Sequence, residues 1–289
     1  MKKINLLLII CLTISHLQAQ SLHSHVVYNH QGEQVTFGFM VDEMVTNNVI
    51  LFGELHDNPI AHWLQLELCH AIEGKNMSMS LGAEMFEADN QLILDEYLTE
   101  LISQMRFENE IRLWGNYKTD YKPLVEFAKE NEIRFIATNI PRRYAAMVAS
   151  GGFEALDKLS PEAKGYVAPL PVEYDEELPG YKAMLSMGGM PGKGGVNHNL
   201  PKAQAIKDAT MAWNISQNFE EGKIFVHFHG TYHSDNYEGI GWYLKRYAPN
   251  LKQVTIATVL QEEVQALNEE HKGLADFIIV VPVRMTRTY

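Results

Sequence analysis

Twelve residues, Asn48-Val-Ile-Leu-Phe-Gly-Glu-Leu-His-Asp-Asn-Pro59, constrain this chain more than any other stretch. Val49 to Phe52 is a short continuous apolar run, the pattern of a strand buried on both faces. Gly53 ends the run, and Glu54, His56, Asp57 and Asn58 follow at once. Pro59 then opens an amphipathic pattern (Ile60, Leu64, Leu68, Ile72) that predicts a helix, with Asn58 as N-cap and Pro59 at the first helical position. A carboxylate and an imidazole therefore lie between a buried strand's C-terminal end and a helix N-terminus, which is where open α/β sheets bind ligands.

The same alternation recurs along the chain. Strands are expected at 77–83, 133–138, 223–228, 253–260 and 277–283, with helices predicted between them, for example over 86–101 and 203–219. Strand–helix alternation of this kind predicts an α/β fold, a mostly parallel sheet flanked by helices. The 289 residues suffice for one large domain. The segment before the first strand, with His23, His25 and His30, reads as a solvated polar leader. From about residue 150 to 201 glycine and proline become dense and apolar periodicity fades, so this stretch is expected to be an insertion, in part helical, that covers the site.

Residues 1–20 have the form of an export signal: Lys2 and Lys3, an apolar run from Ile4 to Ile14, and a small-residue cleavage site at Leu17-Gln18-Ala19. Residues 21–289 would then be a single exported domain, periplasmic, outer-membrane-associated or secreted. Ile10 before Cys11 is unlike a lipoprotein signal. Cys69 is the only cysteine beyond that segment and is expected to be buried in the first helix. The formal net charge of -12 gives no reason to bind nucleic acid, and no Lys/Arg cluster forms a phosphate-binding stripe. Such a balance favours a cationic or neutral ligand, or a metal.

Four strands are expected to end in polar groups. These are Glu54-Leu-His56-Asp57, Glu84, Asn139 with Arg142, and His229-Gly-Thr-Tyr-His233. In a parallel sheet they converge on one rim. Histidines with carboxylates there suit either a transition metal or acid/base chemistry. Glu84 can equally be a helix N-terminal acid, and His229 a satisfied core histidine. Gly230-Thr-Tyr-His233 repeats the Gly-x-x-His spacing of Gly53-Glu-Leu-His56. In each, the glycine is expected to release the chain from its strand so that the histidine turns back over the rim.

The chain resembles the haem-binding uptake proteins of the ChaN type, in the superfamily that also holds Tiki and TraB proteins and the erythromycin esterases. The resemblance runs from about residue 48 to 285. It is carried by Ile50-Leu-Phe-Gly-Glu-Leu-His-Asp-Asn-Pro59 with His62, Leu81-Gly-Ala-Glu-Met-Phe86, Tyr121-Lys-Pro-Leu124, Ile136-Ala-Thr-Asn-Ile-Pro-Arg142, Ala203-Gln-Ala-Ile-Lys-Asp-Ala-Thr-Met-Ala212 and Gly230-Thr-Tyr-His233. It implies an exported haem-binding protein of iron acquisition, working with outer-membrane uptake machinery, with haem held by a tyrosine and stacked in a homodimer. Phenolate favours ferric iron. Tyr174 and Tyr181 in the insertion, His198 near its end, and Met184, Met187 and Met190 are the candidates to meet haem. The Tiki branch implies another use: a divalent metal held by His56, Glu84 and His233, with Glu54 as ligand or base, in a hydrolase.

Overall fold

Val49, Ile50, Leu51 and Phe52 have no solvent exposure, because they lie in the middle of a sheet covered by helices on both faces. Ile50 and Phe52 pack with Leu64, Leu68 and Cys69 on one face. Val49 and Leu51, pointing the opposite way, pack with Ala209, Ala212 and Tyr243 on the other. The protein, seen in a computed structural model, is described over residues 22–187 and 197–289. The export segment expected at 1–20 and Met190 lie outside the described residues.

The strands are β1 (Val26–Asn29), β2 (Gln34–Val35), β3 (Val49–Glu54), β4 (Met79–Glu87), β5 (Phe135–Asn139), β6 (Ile224–Gly230), β7 (Gln253–Gln261) and β8 (Phe277–Pro282). The helices that matter below are α1 (Pro59–Gly74), α2 (Gln91–Leu98), α3 (Arg142–Gly151), α4 (Pro179–Met187), α5 (Leu200–Asn218) and α6 (Ile240–Tyr247). The sheet order is β2-β1-β8-β7-β3-β6-β4-β5. β3 to β8 all run parallel, which places their C-terminal ends along one edge. This is the α/β architecture expected from the alternation.

One expectation needs correcting. The leader is not simply a solvated terminus: Val26, Val27 and Tyr28 are buried, and β1 pairs antiparallel with β8. A three-residue apolar run is too short to stand out by periodicity, and its partner lies some 250 positions away in sequence. The described part of the stretch 150–201 is in part helical, as expected. It includes the end of α3, a short helix at Pro161–Lys164, and α4.

β5 is an edge strand, yet its outward groups are not free. The Gln91 side chain accepts from Ala137 N at 2.7 Å and donates to Phe135 O at 3.0 Å, acting as one residue of a missing strand. Gln91→Ala is expected to cost about 1–2 kcal/mol in denaturant unfolding, since it leaves two edge groups unpaired. A loss under about 0.5 kcal/mol would mean water serves that edge equally well.

Candidate functional site

The two Gly-x-x-His segments interlock, and their glycines act differently from the sequence expectation. Both stay in their strands, paired side by side in register: Gly53 with His229, and Glu54 with Gly230. A Cβ on Gly53 would lie 2.7 Å from Thr231 Cα, and one on Gly230 would lie 2.6 Å from His56 Nε2. Each glycine leaves room for the other segment. That close approach, and not release from the strand, is what the repeated spacing encodes.

Glu84 enters from the third side. β4 continues three residues past it to Glu87, and the β4–β5 register shifts between Ala83 and Glu87. The irregularity turns the Glu84 side chain to the rim. Its Oε2 accepts from Gly230 N at 2.9 Å, and its backbone oxygen accepts from Asn139 Nδ2 at 2.9 Å.

Around Glu84 the rim alternates acid and imidazole. His233 Nε2 lies 3.2 Å from Glu84 Oε1, and His233 Nδ1 hydrogen-bonds Asp208 of α5. On the other side His56 Nε2 is 3.9 Å from Glu84 Oε2, and His56 Nδ1 donates to Glu54 Oε1 at 2.8 Å. Glu54 also accepts from Tyr121 Oη at 2.7 Å and from Gln65 Nε2. His62 lies behind it, 3.4 Å from both Glu54 Oε2 and Asp120 Oδ2.

Burial alone would favour the neutral form of every group here, but the partners decide otherwise. Burial pulls the His233 imidazole down, yet Glu84 and Asp208 together push it up to about 10, so it is a cation at neutral pH. Burial raises Glu84, but His233, His56 and the Gly230 N–H hold it well below the usual carboxylate range. Glu54 is likewise held at about 2 by His56 and His62, against its burial. His56 is raised by Glu54 and Glu84 against desolvation. Asp208 moves the other way, raised because its burial outweighs His233.

His227 and His229 form a separate, neutral pair. Thr138 Oγ1 donates to Ala83 O at 2.9 Å, so it must accept from His227 Nε2 at 2.7 Å. His227 Nδ1 then accepts from His229 Nδ1 at 3.0 Å, and His229 Nε2 accepts from Ser234 Oγ at 2.9 Å. Burial lowers both, His229 to about 3. His229 is thus a satisfied core histidine.

Both His233 nitrogens are engaged by carboxylates, which makes it a cation and not a lone-pair donor. Among the described residues no group of three or more His, Cys, Asp or Glu side chains is disposed to hold a metal ion. His56, Glu84 and His233, the set expected to hold a metal, stand here as an ion-paired row.

The insertion residues fall elsewhere. Tyr181 is buried, stacks on Tyr174 and donates to Asp208 Oδ2 at 2.8 Å, so it stands behind the rim. Tyr174 lines a cavity together with Glu173, Asp175, Glu176 and Glu177. Met184 is partly buried on α4, His198 is exposed, and the Met187 side chain lies outside what is described. Asp57 pairs with Arg287 at 3.1 Å. Arg142 hydrogen-bonds Glu87 through both its backbone N and its Nε.

Two cavities open onto the rim. One, of about 980 Å³, is lined by His56, Glu84, Leu113, Trp114, Asn139, Ile140, Arg142, Lys207 and Tyr289. A smaller one, of about 520 Å³, shares His56, Glu84, Lys207 and Tyr289 and reaches His233. Trp114 meets the His56 ring edge-on at 4.9 Å.

The family model described as haem-binding uptake, Tiki superfamily, ChaN matches residues 40–244. No curated protein matches the sequence. Among solved structures the chain is similar to ChaN of Campylobacter jejuni, described with cofacial haem bound: 16% identity, TM-score 0.63, over 89% of this chain and 96% of that one. It is also similar, at TM-score 0.49 and 12% identity, to a Bacillus cereus protein, over 89% of this chain and 95% of that one. A toxin effector domain from Vibrio vulnificus matches at TM-score 0.45 and 15% identity, over 87% of this chain and 39% of that one.

Proposed function

This chain belongs to the ChaN haem-binding uptake family of the Tiki superfamily, and from that premise we propose that it binds haem in the larger rim cavity. The observation that carries this reading is the cavity's make-up. About 980 Å³ is at the upper end of what small-molecule and cofactor sites enclose. Its wall has apolar Leu113, Trp114 and Ile140 for a porphyrin face, and His56 lines the same cavity. The His56 Nδ1–H is committed to Glu54, and a carboxylate on that nitrogen fixes the tautomer of a metal-ligating imidazole. His56 would then offer Nε2 to iron, Glu54 would orient the ring, and Trp114 would shield one edge of it from water. Haem when bound supplies a redox-active iron and an intense visible chromophore. The insertion tyrosines suit the ligand less well, because Tyr181 is buried and tied to Asp208, and Tyr174 is stacked on it.

Export and service in iron acquisition belong to the same reading. They are supported by the basic-then-apolar segment at residues 1–20 and by the family's uptake description. Hemin titrated into the purified protein is expected to give a shifted Soret band saturating at a fixed stoichiometry. His56→Ala is expected to change both the band position and the affinity, by about tenfold or more. Wild-type protein that binds hemin no better than serum albumin overturns the reading. An unchanged spectrum in His56→Ala moves the ligand elsewhere.

One observation favours a second use of the rim. Glu84 between two imidazoles, with Asp208 behind, is an arrangement able to hold and pass protons in a hydrolytic reaction. Ester or peptide turnover by metal-analysed protein, lost in Glu84→Gln, is the outcome that this use requires.

A further inference from the structure

The whole chain is acidic, with a formal charge of -12, yet the larger cavity carries two basic side chains, from different helices, on its wall. Arg142 begins α3 and Lys207 lies in the middle of α5. Arg142 is largely exposed and pairs with the buried Glu87 through part of its guanidinium, whereas nothing in the fold accounts for Lys207. Arg142 uses only its backbone N and Nε, both on Glu87, so its two terminal amino groups have no hydrogen-bond partner among the described residues. Lys207 is half-buried, lines both rim cavities, and has no carboxylate within ion-pair distance among the described residues. A half-buried ammonium gives up part of its hydration, so leaving it unpaired in a cleft is a cost that stability alone does not offset.

The acids in the same cavity do not answer these charges. Glu84 is already held by Gly230 and His233. Glu87 is buried, with Arg112 Nε at 3.0 Å on one oxygen and Arg142 on the other. What remains facing the cavity is two cationic ends beside an apolar wall of Leu113, Trp114 and Ile140. That combination selects a ligand with a flat apolar body and acidic groups at its edge.

We infer that Arg142 and Lys207 are the specificity residues of this cavity, receiving the carboxylates of its ligand. On the haem reading above, on which this inference rests, those carboxylates are the two propionates. Arg142 would take its propionate through the planar fork of its terminal nitrogens, and Lys207 would act as a point charge. The remainder of the protein's acidic surface then works against non-specific anions, while this one cleft admits a dianion.

The test compares hemin with iron protoporphyrin dimethyl ester, which keeps the ring and iron but has no propionate charge, in one detergent-containing buffer. Wild-type protein is expected to prefer hemin by at least about tenfold. Lys207→Gln and Arg142→Gln are each expected to weaken hemin about fivefold to tenfold and to leave the ester's affinity unchanged. The Lys207→Gln arm keeps the test sound if Arg142→Gln disturbs Glu87, because Lys207 has no role in the fold to lose. Equal affinity for hemin and ester, or variants that bind hemin as tightly as wild type, overturns this inference and leaves the haem reading standing. Failure of wild-type protein to bind either porphyrin overturns both.

Discussion

Gly53→Ala is expected to destabilise the protein more than Gly230→Ala, its counterpart in the interlock. The new Cβ would lie 2.7 Å from Thr231 Cα and 2.8 Å from Ile256 O, and both are backbone atoms of neighbouring segments. Neither can step aside without moving the β3–β6 or β3–β7 pairing. Overpacking of this kind costs roughly 1–3 kcal/mol where side chains can yield, and more where only backbone can. A loss above about 3 kcal/mol corresponds to a fall in Tm of roughly 6–12 °C for a chain of this size. Gly230→Ala is the informative contrast. Its Cβ meets the His56 ring, the far end of a side chain one-third exposed, which can swing outward. That variant is expected to lose only about 1–2 kcal/mol, while hemin affinity falls because His56 leaves its place between Glu54 and the cavity. Thermal unfolding and hemin titration on the two proteins separate the effects. If Gly53→Ala proves milder than Gly230→Ala, the interlock of the two Gly-x-x-His segments is not what those glycines serve.

The two halves of that interlock were visible in the sequence, because each follows a continuous apolar run that can only be a buried strand. Their meeting followed from parallel topology alone, and so did Glu84 beside them. The partners supplied by helices were not found, although a signal was present. Asp208 falls on the stripe Ala205, Ala209, Ala212 of α5, an acid at i+3 on an otherwise apolar face, and it is fully buried. Gln65 does the same on α1, between Leu64 and Leu68. A charged or amide residue inside an apolar stripe must meet a buried partner, and here the partners are His233 and Glu54. Tyr121 and His62 were within reach only as pieces of a family resemblance. Tyr174 and Tyr181 stand out because they lie in a stretch of unusual composition, but composition says nothing about which way a segment folds back. It folds so that Tyr181 supports Asp208 from behind.

His233 is the group on which the rim's charge balance turns, and replacing it is expected to be costly in a pH-dependent way. The imidazole is buried and sits between Glu84 and Asp208, which push it up from the ordinary 6.5 to about 10. A basic group raised in the folded state contributes stability that is complete below pH 6.5 and is lost as pH climbs through 10. Wild-type Tm is therefore expected to decline steadily across that window, with His56, also raised, adding to the same slope. His233→Gln removes the cation and leaves two buried carboxylates facing one another. Removing one partner of a buried charge pair costs about 3–5 kcal/mol, so at pH 7 the variant is expected to be that much weaker. Asp208, already raised by burial and now without its cation, would bind a proton more readily in the folded state than in the unfolded chain, and Glu84 would lose the largest of its partners. The variant should accordingly gain stability toward acid pH, opposite in sense to Glu84's present contribution, which is lost as pH falls below its ordinary range. Denaturant unfolding of both proteins from pH 5 to 10 reads these slopes directly. A wild-type curve that stays level from pH 6.5 to 10, or a variant weakened by less than about 1 kcal/mol, would mean that His233 is not held as a cation between the two acids. The alternating row would then be a set of neutral hydrogen bonds.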